Sequence, residues 1–209
     1  MKISQKKWSA KNGWESIRLD NFDESQSHLV IVFGCREKLS ESELFGEIRS
    51  IYPKAQIIIN STSGEIIDIQ VNDNTLSMTA IHFDKTDIET HCININKFAN
   101  SLEAGKALAS LFNKKELSSL LVISDGQLVN GSELVEGLEE VIGNRIPITG
   151  GLAGDGDKFE KTLVGLNASP EIGNIVALGF YGDYISISHG CVGGWDPFGP
   201  ERMITSSKG

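Results

Sequence analysis

The feature that most constrains the fold is a β-α-β pattern near the beginning of the chain. Residues 28–34 form an uninterrupted apolar run that ends in glycine, which is typical of a strand buried on both faces. A helical apolar stripe follows, consisting of Leu44, Phe45, Ile48 and Ile51. Ser40 and Glu43 precede this stripe in capping-box spacing, and Pro53 predicts its end. Residues 55–59 are a second buried strand, so we predict a parallel pair with a right-handed crossover.

The rest of the chain predicts more strands than helices. Asn100 and Asn130 each precede a helical stripe with the spacing of an N-cap. Further strands are predicted at residues 65–71, 76–83, 90–95, 120–124, 146–149, 162–166, 175–180 and 185–188. Roughly nine strands with three helices favour a mixed α/β (α+β) fold. It is either one mixed β-sheet or two packed sheets with flanking helices.

Composition and pattern suggest where the domains begin and end. Residues 1–27 are polar and lack a period, so we expect a loosely packed lead-in that Trp8 and Trp14 anchor. Residues 28–200 make up the main domain. Residues 201–209 are expected to start a following domain, because Met203 and Ile204 resemble the first residues of a strand. On this interpretation the chain is the N-terminal part of a longer protein, and it exposes apolar surface.

Charge and cysteine content exclude several classes of function. The 209-residue chain has 19 basic and 28 acidic residues and a formal net charge of −9, which does not supply the basic face that nucleic-acid binding needs. Its apolar runs are too short for a signal peptide or a membrane span. Cys35, Cys92 and Cys191 are far apart and form no CxxC motif, which is typical of reduced thiols. We therefore expect a cytoplasmic protein that binds neither nucleic acid nor membrane.

Three loops rich in small polar residues follow predicted apolar strands, where ligands tend to bind in α/β sheets. Their candidate ligand-binding residues are Ser61, Thr62, Ser63, Asp125, Gly126, Gly150, Gly151, Gly154 and Asp155. We predict one pocket for a small zwitterionic metabolite: a carboxylate binds the hydroxyls and glycine amides, and an aspartate binds the ammonium. Trp195 or Phe159 is expected to close the apolar side. The alternative is that the loops are only turns.

The third loop has four glycines among residues 149–156, which favours positive φ angles or close backbone approach. Gly151 and Gly154 are therefore predicted to tolerate no larger residue. The loop lacks the Lys and the Ser/Thr of a phosphate-binding P-loop.

No catalytic constellation is evident. The chain has no G-x-S-x-G elbow, and neither its serines nor its cysteines have a recognisable base in the sequence. The histidines have no metal-ligand spacing, although one of them could ligate haem: His28, His82, His91 and His189. We therefore predict a binding module rather than an enzyme, with a hydrolase or transferase as the alternative.

Several spaced motifs resemble one known family. Residues 150–155, followed by Phe159 and Thr162, look like the hallmark of the FIST N domain. The earlier motifs that resemble this family are residues 52–55, 61–65 and 124–126 with 131–132, and a later one is residues 194–200. The resemblance begins at about His28 and continues to the C-terminus.

This resemblance implies a bacterial intracellular sensory domain for small ligands, with amino acids as the suggested class. In the family a FIST C domain follows the N domain. Signalling outputs occur beside the pair, including histidine kinases, cyclic-dinucleotide enzymes and chemotaxis receptors. Some relatives resemble haem-based nitric-oxide sensors, so a haem sensor is the alternative function, but no histidine of this sequence matches a haem ligand.

Overall fold

A computed structural model describes residues 1–188, 190, 199–200 and 203–206. Within them lie twelve strands and four α-helices. The strands are β1 (Lys2–Ser9), β2 (Gly13–Leu19), β3 (Leu29–Gly34), β4 (Gln56–Ser61), β5 (Glu65–Ile67), β6 (Gln70–Asn72), β7 (Thr75–His82), β8 (Asp87–Asn94), β9 (Leu117–Ser124), β10 (Ile148–Leu152), β11 (Val164–Leu166) and β12 (Asn174–Tyr181). The helices are α1 (Arg36–Leu39), α2 (Leu44–Ile51), α3 (Ser101–Ser110) and α4 (Gly131–Ile142).

The strands form two main sheets that pack face to face. A six-stranded sheet has the order β11-β4-β3-β7-β1-β2, and a four-stranded sheet has the order β10-β9-β12-β8. Strands β5 and β6 form a separate hairpin. Helices α1 and α2 cover the outer face of the larger sheet, and α3 and α4 cover the outer face of the smaller one. The predicted mixed α/β class is confirmed, in its two-sheet form.

The alternation of apolar residues along the central strands explains this layering. On β3, Val30 and Val32 face the helices α1 and α2, whereas Leu29 faces the second sheet. On β9, Leu120 and Val122 pack under α3 and α4, whereas Ile123 belongs to the core between the sheets. Both faces of these strands are buried, which accounts for their continuous apolar sequences.

The predicted β-α-β unit is confirmed: α1 and α2 connect β3 to β4 along the chain, and these two strands pair in parallel. The N-caps are also confirmed: Asn100 accepts a hydrogen bond from the Glu103 amide, and Asn130 accepts bonds from the amides of Ser132 and Glu133. The prediction of a capping box at Ser40 is wrong. Ser40 ends α1, where its hydroxyl donates to the carbonyl of Arg36.

The N-terminal segment is part of the fold and not a loose lead-in. Strand β1 pairs antiparallel with β7 on one side and β2 on the other. Trp8 and Trp14 are directly paired and pack against the core under α2. The segment was misjudged because its strands extend the sheet at its edge, where polar side chains can stay in water.

Two other predicted strands are absent. Residues 185–188 and 203–206 have no regular structure, and Met203 and Ile204 are 90% and 83% exposed. Apolar character alone suggested these strands, but within the described residues neither segment finds a pairing partner. No helix in the described part of the chain is long and apolar enough to cross a membrane.

Helices α3 and α4 cross at a contact that requires glycine. A Cβ atom on Gly137 would lie 2.1 Å from the Leu102 carbonyl oxygen, and one on Gly105 would lie 2.4 Å from the Leu134 carbonyl oxygen. By contrast, Gly46 in α2 has open space around it.

We therefore expect Gly137→Ala to lower the free energy of unfolding by about 1–3 kcal/mol through overpacking. Gly46→Ala is the matched control and should raise it by about 0.5–1 kcal/mol. Urea denaturation of both variants measures the difference, and equal effects would contradict this packing.

Candidate functional site

The carboxyl ends of the two parallel strand pairs meet at one edge of the molecule. The pair β3 and β4 ends beside Ser61, and the pair β9 and β10 ends beside Ser124. Two consecutive amides connect these ends: Ala153 N–H donates to the Ser124 carbonyl at 2.8 Å, and Gly154 N–H donates to the Ser61 carbonyl at 2.9 Å. We call these four residues the sheet junction. Because parallel-strand ends are where ligands bind in α/β folds, the junction marks the region in which a site is expected.

Residues 162–163 reinforce the sheet junction. The Thr162 hydroxyl oxygen accepts a hydrogen bond from Gly126 N–H at 2.8 Å, and Leu163 N–H donates to the Ser61 hydroxyl oxygen at 2.9 Å. The predicted residues Ser61, Gly126 and Gly154 thus come together, but they hold the backbone in place and largely face one another.

Asp125 is fully buried, with 0% of its surface exposed. One of its carboxylate oxygens accepts hydrogen bonds from the amides of Gln127 and Leu128, each at 2.8 Å. The other oxygen accepts one from the amide of Gly173 at 2.9 Å. With both oxygens bound by backbone donors, this carboxylate stabilises a turn, and its complete burial keeps it out of reach of a ligand ammonium.

Asp155 is also committed to internal contacts. One carboxylate oxygen lies 2.9 Å from Nε of Arg36, and the other accepts the amides of Glu160 and Lys161 at 3.0 and 3.1 Å. Arg36 in turn donates to Glu160 at 2.9 Å, and this hydrogen bond raises the pKa of the guanidinium. The buried charges of Arg36 and Asp155 compensate each other, and the exposed Glu160 adds a second contact to Arg36, so the loop of residues 155–160 is fixed against α1.

A polar cleft with a volume of about 630 Å³ opens beside the sheet junction. We call it the strand-end cleft. It is lined by residues 35–37, 62–65, 73–74 and 155–159. Three predicted site residues, Thr62, Ser63 and Asp155, belong to it, and so does Phe159, whose ring is 76% exposed.

The strand-end cleft carries charges of both signs. The described part of the chain contributes two cationic side chains to it, and both are engaged: Arg36 as described above, and Lys158 in an ion pair with Glu37. This contact lowers the pKa of the Glu37 carboxyl and raises the pKa of the Lys158 ammonium. Asp73 and Asp157 are exposed and form no ion pair with any described residue.

Among the described residues, Cys35 is the one thiol that lines this cleft, and it directly follows β3. Burial raises the pKa of its thiol, which keeps it protonated near neutral pH. A protonated thiol is a weak nucleophile, so the cleft offers hydrogen-bonding and charged groups and lacks an activated nucleophile at this position.

Gly150 and Gly151 face a different cavity, a groove of about 280 Å³ between β10 and α4. We call it the β10–α4 groove. Val122, Leu134 and Leu152 make its lining largely apolar. The predicted set of site residues is therefore divided between a polar cleft, an apolar groove and the junction between them. Trp195 lies outside the described residues.

Sequence reasoning missed several residues of the strand-end cleft, most importantly Arg36, Glu37, Asp73 and Lys158. Arg36 and Glu37 directly follow the buried strand β3, and the rule that ligands bind at strand ends would have selected them. Asp73 and Lys158 carry no comparable signal, because long-range packing brings them to the cleft.

The described histidines have contacts within the fold, and none of them lines the β10–α4 groove. His28 accepts a hydrogen bond from the Phe83 amide and stacks on His82 at 4.6 Å between ring centroids, and His91 contacts Glu89 at 2.9 Å. His189 lies outside the described residues. Haem ligation by a histidine of this chain stays a prediction.

Fold and site together define a two-sheet α/β domain with a polar cleft at its parallel-strand ends. Comparison with known families gives this class its identity: the sequence profile of the FIST N domain matches residues 28–209. The chain therefore belongs to the FIST N domain family, a family of sensory domains in signal transduction and not of enzymes. Among curated proteins, none matches this chain.

The two glycines predicted to be irreplaceable differ in their surroundings. A Cβ atom on Gly154 would lie 2.4 Å from the Ser63 hydroxyl oxygen and 2.8 Å from the Ser63 nitrogen, whereas Gly151 has open space. Close packing therefore supports the prediction for Gly154, whereas the open space around Gly151 contradicts it there. Positive φ angles occur instead at Gly150 (150°) and Gly156 (57°).

We expect Gly154→Ala to lower the free energy of unfolding by about 1–3 kcal/mol, because the loop of residues 62–63 must move away. Gly151→Ala is the matched control and should change it by no more than about 0.5 kcal/mol. Thermal and urea denaturation of the two variants check this order. A Gly154→Ala protein as stable as Gly151→Ala would show that the sheet junction is not closely packed.

Proposed function

We propose that this domain senses a small zwitterionic metabolite, of the amino acid class, which binds in the strand-end cleft. The observation that carries the proposal is the convergence of four chain segments around a polar cavity at the ends of β3 and β4. Its volume of about 630 Å³ lies within the range of roughly 300–1,000 Å³ that is usual for small-molecule sites.

The charges in the cleft suit a ligand that carries both signs. Asp73 and Asp157 are available for an ammonium group, since no described residue forms an ion pair with them. Lys158 and the exposed Ser63 hydroxyl are available for a carboxylate, and Lys158 exchanges its exposed contact with Glu37 for the ligand. This assignment replaces Asp125 and Asp155 as ammonium ligands, because both carboxylates are buried and Asp155 is already paired with Arg36.

The apolar side of the ligand has one evident contact in the cleft. Phe159 is largely exposed, and its backbone lies in the left-handed region with φ of 51°. The next residue, Glu160, pairs with Arg36 and holds this segment in place. An aliphatic or aromatic side chain of the ligand would bury part of this ring.

Sensing would take place inside a bacterial cell, and the response would pass to a signalling output such as a histidine kinase, a cyclic-dinucleotide enzyme or a chemotaxis receptor. Membership of the FIST N domain family supports this part of the proposal. The proposal also includes a FIST C domain as the neighbouring unit.

Isothermal titration with the twenty L-amino acids tests the proposal, with each binder compared with its decarboxylated amine and its deaminated acid. We expect at least one amino acid to bind and both matched compounds to bind at least tenfold more weakly, since each loses a charge-assisted contact worth roughly 1.5–3 kcal/mol. Lys158→Gln should weaken binding of the amino acid by about tenfold, again through loss of one such contact.

Lys161→Gln is the matched control. Lys161 is a nearby exposed lysine that does not line the cleft, and its replacement should leave the dissociation constant unchanged. If no amino acid bound at millimolar concentration, or if the two lysine variants bound equally, the proposed ligand class would be wrong.

A further inference from the structure

The free edge of β10 is the second feature that could bind another molecule. Strand β10 is the outermost strand of the four-stranded sheet and pairs only with β9 within the described residues. The Pro147 carbonyl accepts the Leu120 amide, and the Ala153 amide donates to the Ser124 carbonyl. Odd-numbered residues therefore direct their peptide groups toward β9. Even-numbered residues, Ile148, Gly150 and Leu152, direct theirs away from the sheet.

This edge lacks the features that usually protect an edge strand. Residues 146–154 contain no charged side chain, and the one proline, Pro147, lies before the strand begins. Proteins commonly protect such edges with lysines, prolines or bulges, because unpaired peptide groups accept another strand.

The β10–α4 groove lies directly beside the free edge. Ile148 packs toward the helical core and Leu152 contacts Gly131 of α4, so the even-numbered residues of β10 face this helix. Gly150 lies between them and cannot carry a side chain, because a Cβ atom would lie 1.8 Å from the Val122 carbonyl oxygen. The groove beside Gly150 is lined mainly by apolar side chains, and a residue paired with Gly150 from an added strand would face it.

The rim of the groove is acidic. Helix α4 carries Glu133, Glu136, Glu139 and Glu140 and no lysine or arginine. Among the described residues only Lys106 pairs with any of them, and it contacts Glu140. Glu139 lies one turn after Val135, a groove residue that is 40% exposed, and so it borders the groove.

We propose that β10 binds an extended segment of a partner protein as a fifth strand of the four-stranded sheet. An apolar side chain of this segment enters the β10–α4 groove beside Gly150, and flanking lysines or arginines face the glutamates of α4. Main-chain hydrogen bonds supply the affinity, and the apolar groove and the acidic rim supply the specificity, as in other complexes formed by strand addition. A second copy of this chain fits less well, because its net charge is −9 and its own acidic rim would be repelled.

The test begins with a phage-displayed library of random nine-residue peptides, selected on the wild-type 209-residue chain. Counter-selection uses Leu152→Pro, which removes an outward N–H group at a half-exposed edge position that tolerates proline. Circular dichroism verifies that the variant is folded. The expected sequences have an apolar residue at the centre and basic residues on either side.

A synthetic copy of a selected peptide then serves as the probe. It should shift the backbone NMR signals of Ile148, Gly150 and Leu152, and it should bind Leu152→Pro at least tenfold more weakly. Glu139→Lys should weaken binding several-fold. The matched control Glu43→Lys, an exposed position at the start of α2, should not weaken it.

Val135→Asp serves as a second groove variant, for use if Leu152→Pro does not fold, and it should likewise bind the peptide at least tenfold more weakly. The proposal would be overturned if no peptide distinguished the wild type from these variants. It would also be overturned if the bound peptide shifted signals elsewhere, or if sedimentation showed a dimer that Leu152→Pro dissociates. None of these results depends on the strand-end cleft.

Discussion

Two consecutive backbone amides tie the two sheets of this domain together. Ala153 donates to Ser124 at the end of one parallel pair, and Gly154 donates to Ser61 at the end of the other. These two bonds require the segments that contain Ser61, Ser124 and residues 153–154 to lie within hydrogen-bonding distance of one another. A side chain at position 154 would prevent this approach. The position of Asp155, and through it the position of Arg36, follows from this arrangement, because residue 155 leaves the junction directly.

One short segment therefore borders both cavities. Residues 148–152 form the edge of the β10–α4 groove, and residues 155–159 form a wall of the strand-end cleft. The groove is apolar because Val122, Leu134 and Leu152 line it, and the cleft is polar because loops from four parts of the chain contribute their charges there. In a sensory domain this arrangement places the proposed ligand site and the proposed partner site at opposite ends of the same connection.

Those parts of the fold that depend on local pattern could be predicted from the sequence. Continuous apolar runs gave β3 and β4 with their parallel pairing, and the N-caps at Asn100 and Asn130 followed from side-chain chemistry that acts over three residues. Strands β1 and β2 could not be found in this way. Strand β1 takes its place in the sheet by pairing with β7, about seventy residues away, and β2 takes its place by pairing with β1. Nothing in the sequence of β1 or β2 indicates the pairing with β7.

The candidate site shows the same division. The three polar loops could be selected from the sequence because they follow apolar strands. What each of their side chains contacts could not be predicted. Asp125 looks available in the sequence, yet its second oxygen is occupied by the amide of Gly173, which lies far along the chain. Likewise, Gly151 and Gly154 are equivalent by local pattern and differ only in what lies against them.

Hydrogen exchange of the native protein tests the sheet junction most directly. If the amides of Ala153 and Gly154 bridge the sheets, they should exchange as slowly as the central amides of β9 and β12, because exchange requires the sheets to separate. The exposed turn residues Asp68 and Ile69 provide the fast reference in the same experiment. Exchange of Ala153 and Gly154 at the rate of that turn would contradict the account, since the glycine-rich segment would then be an ordinary loop.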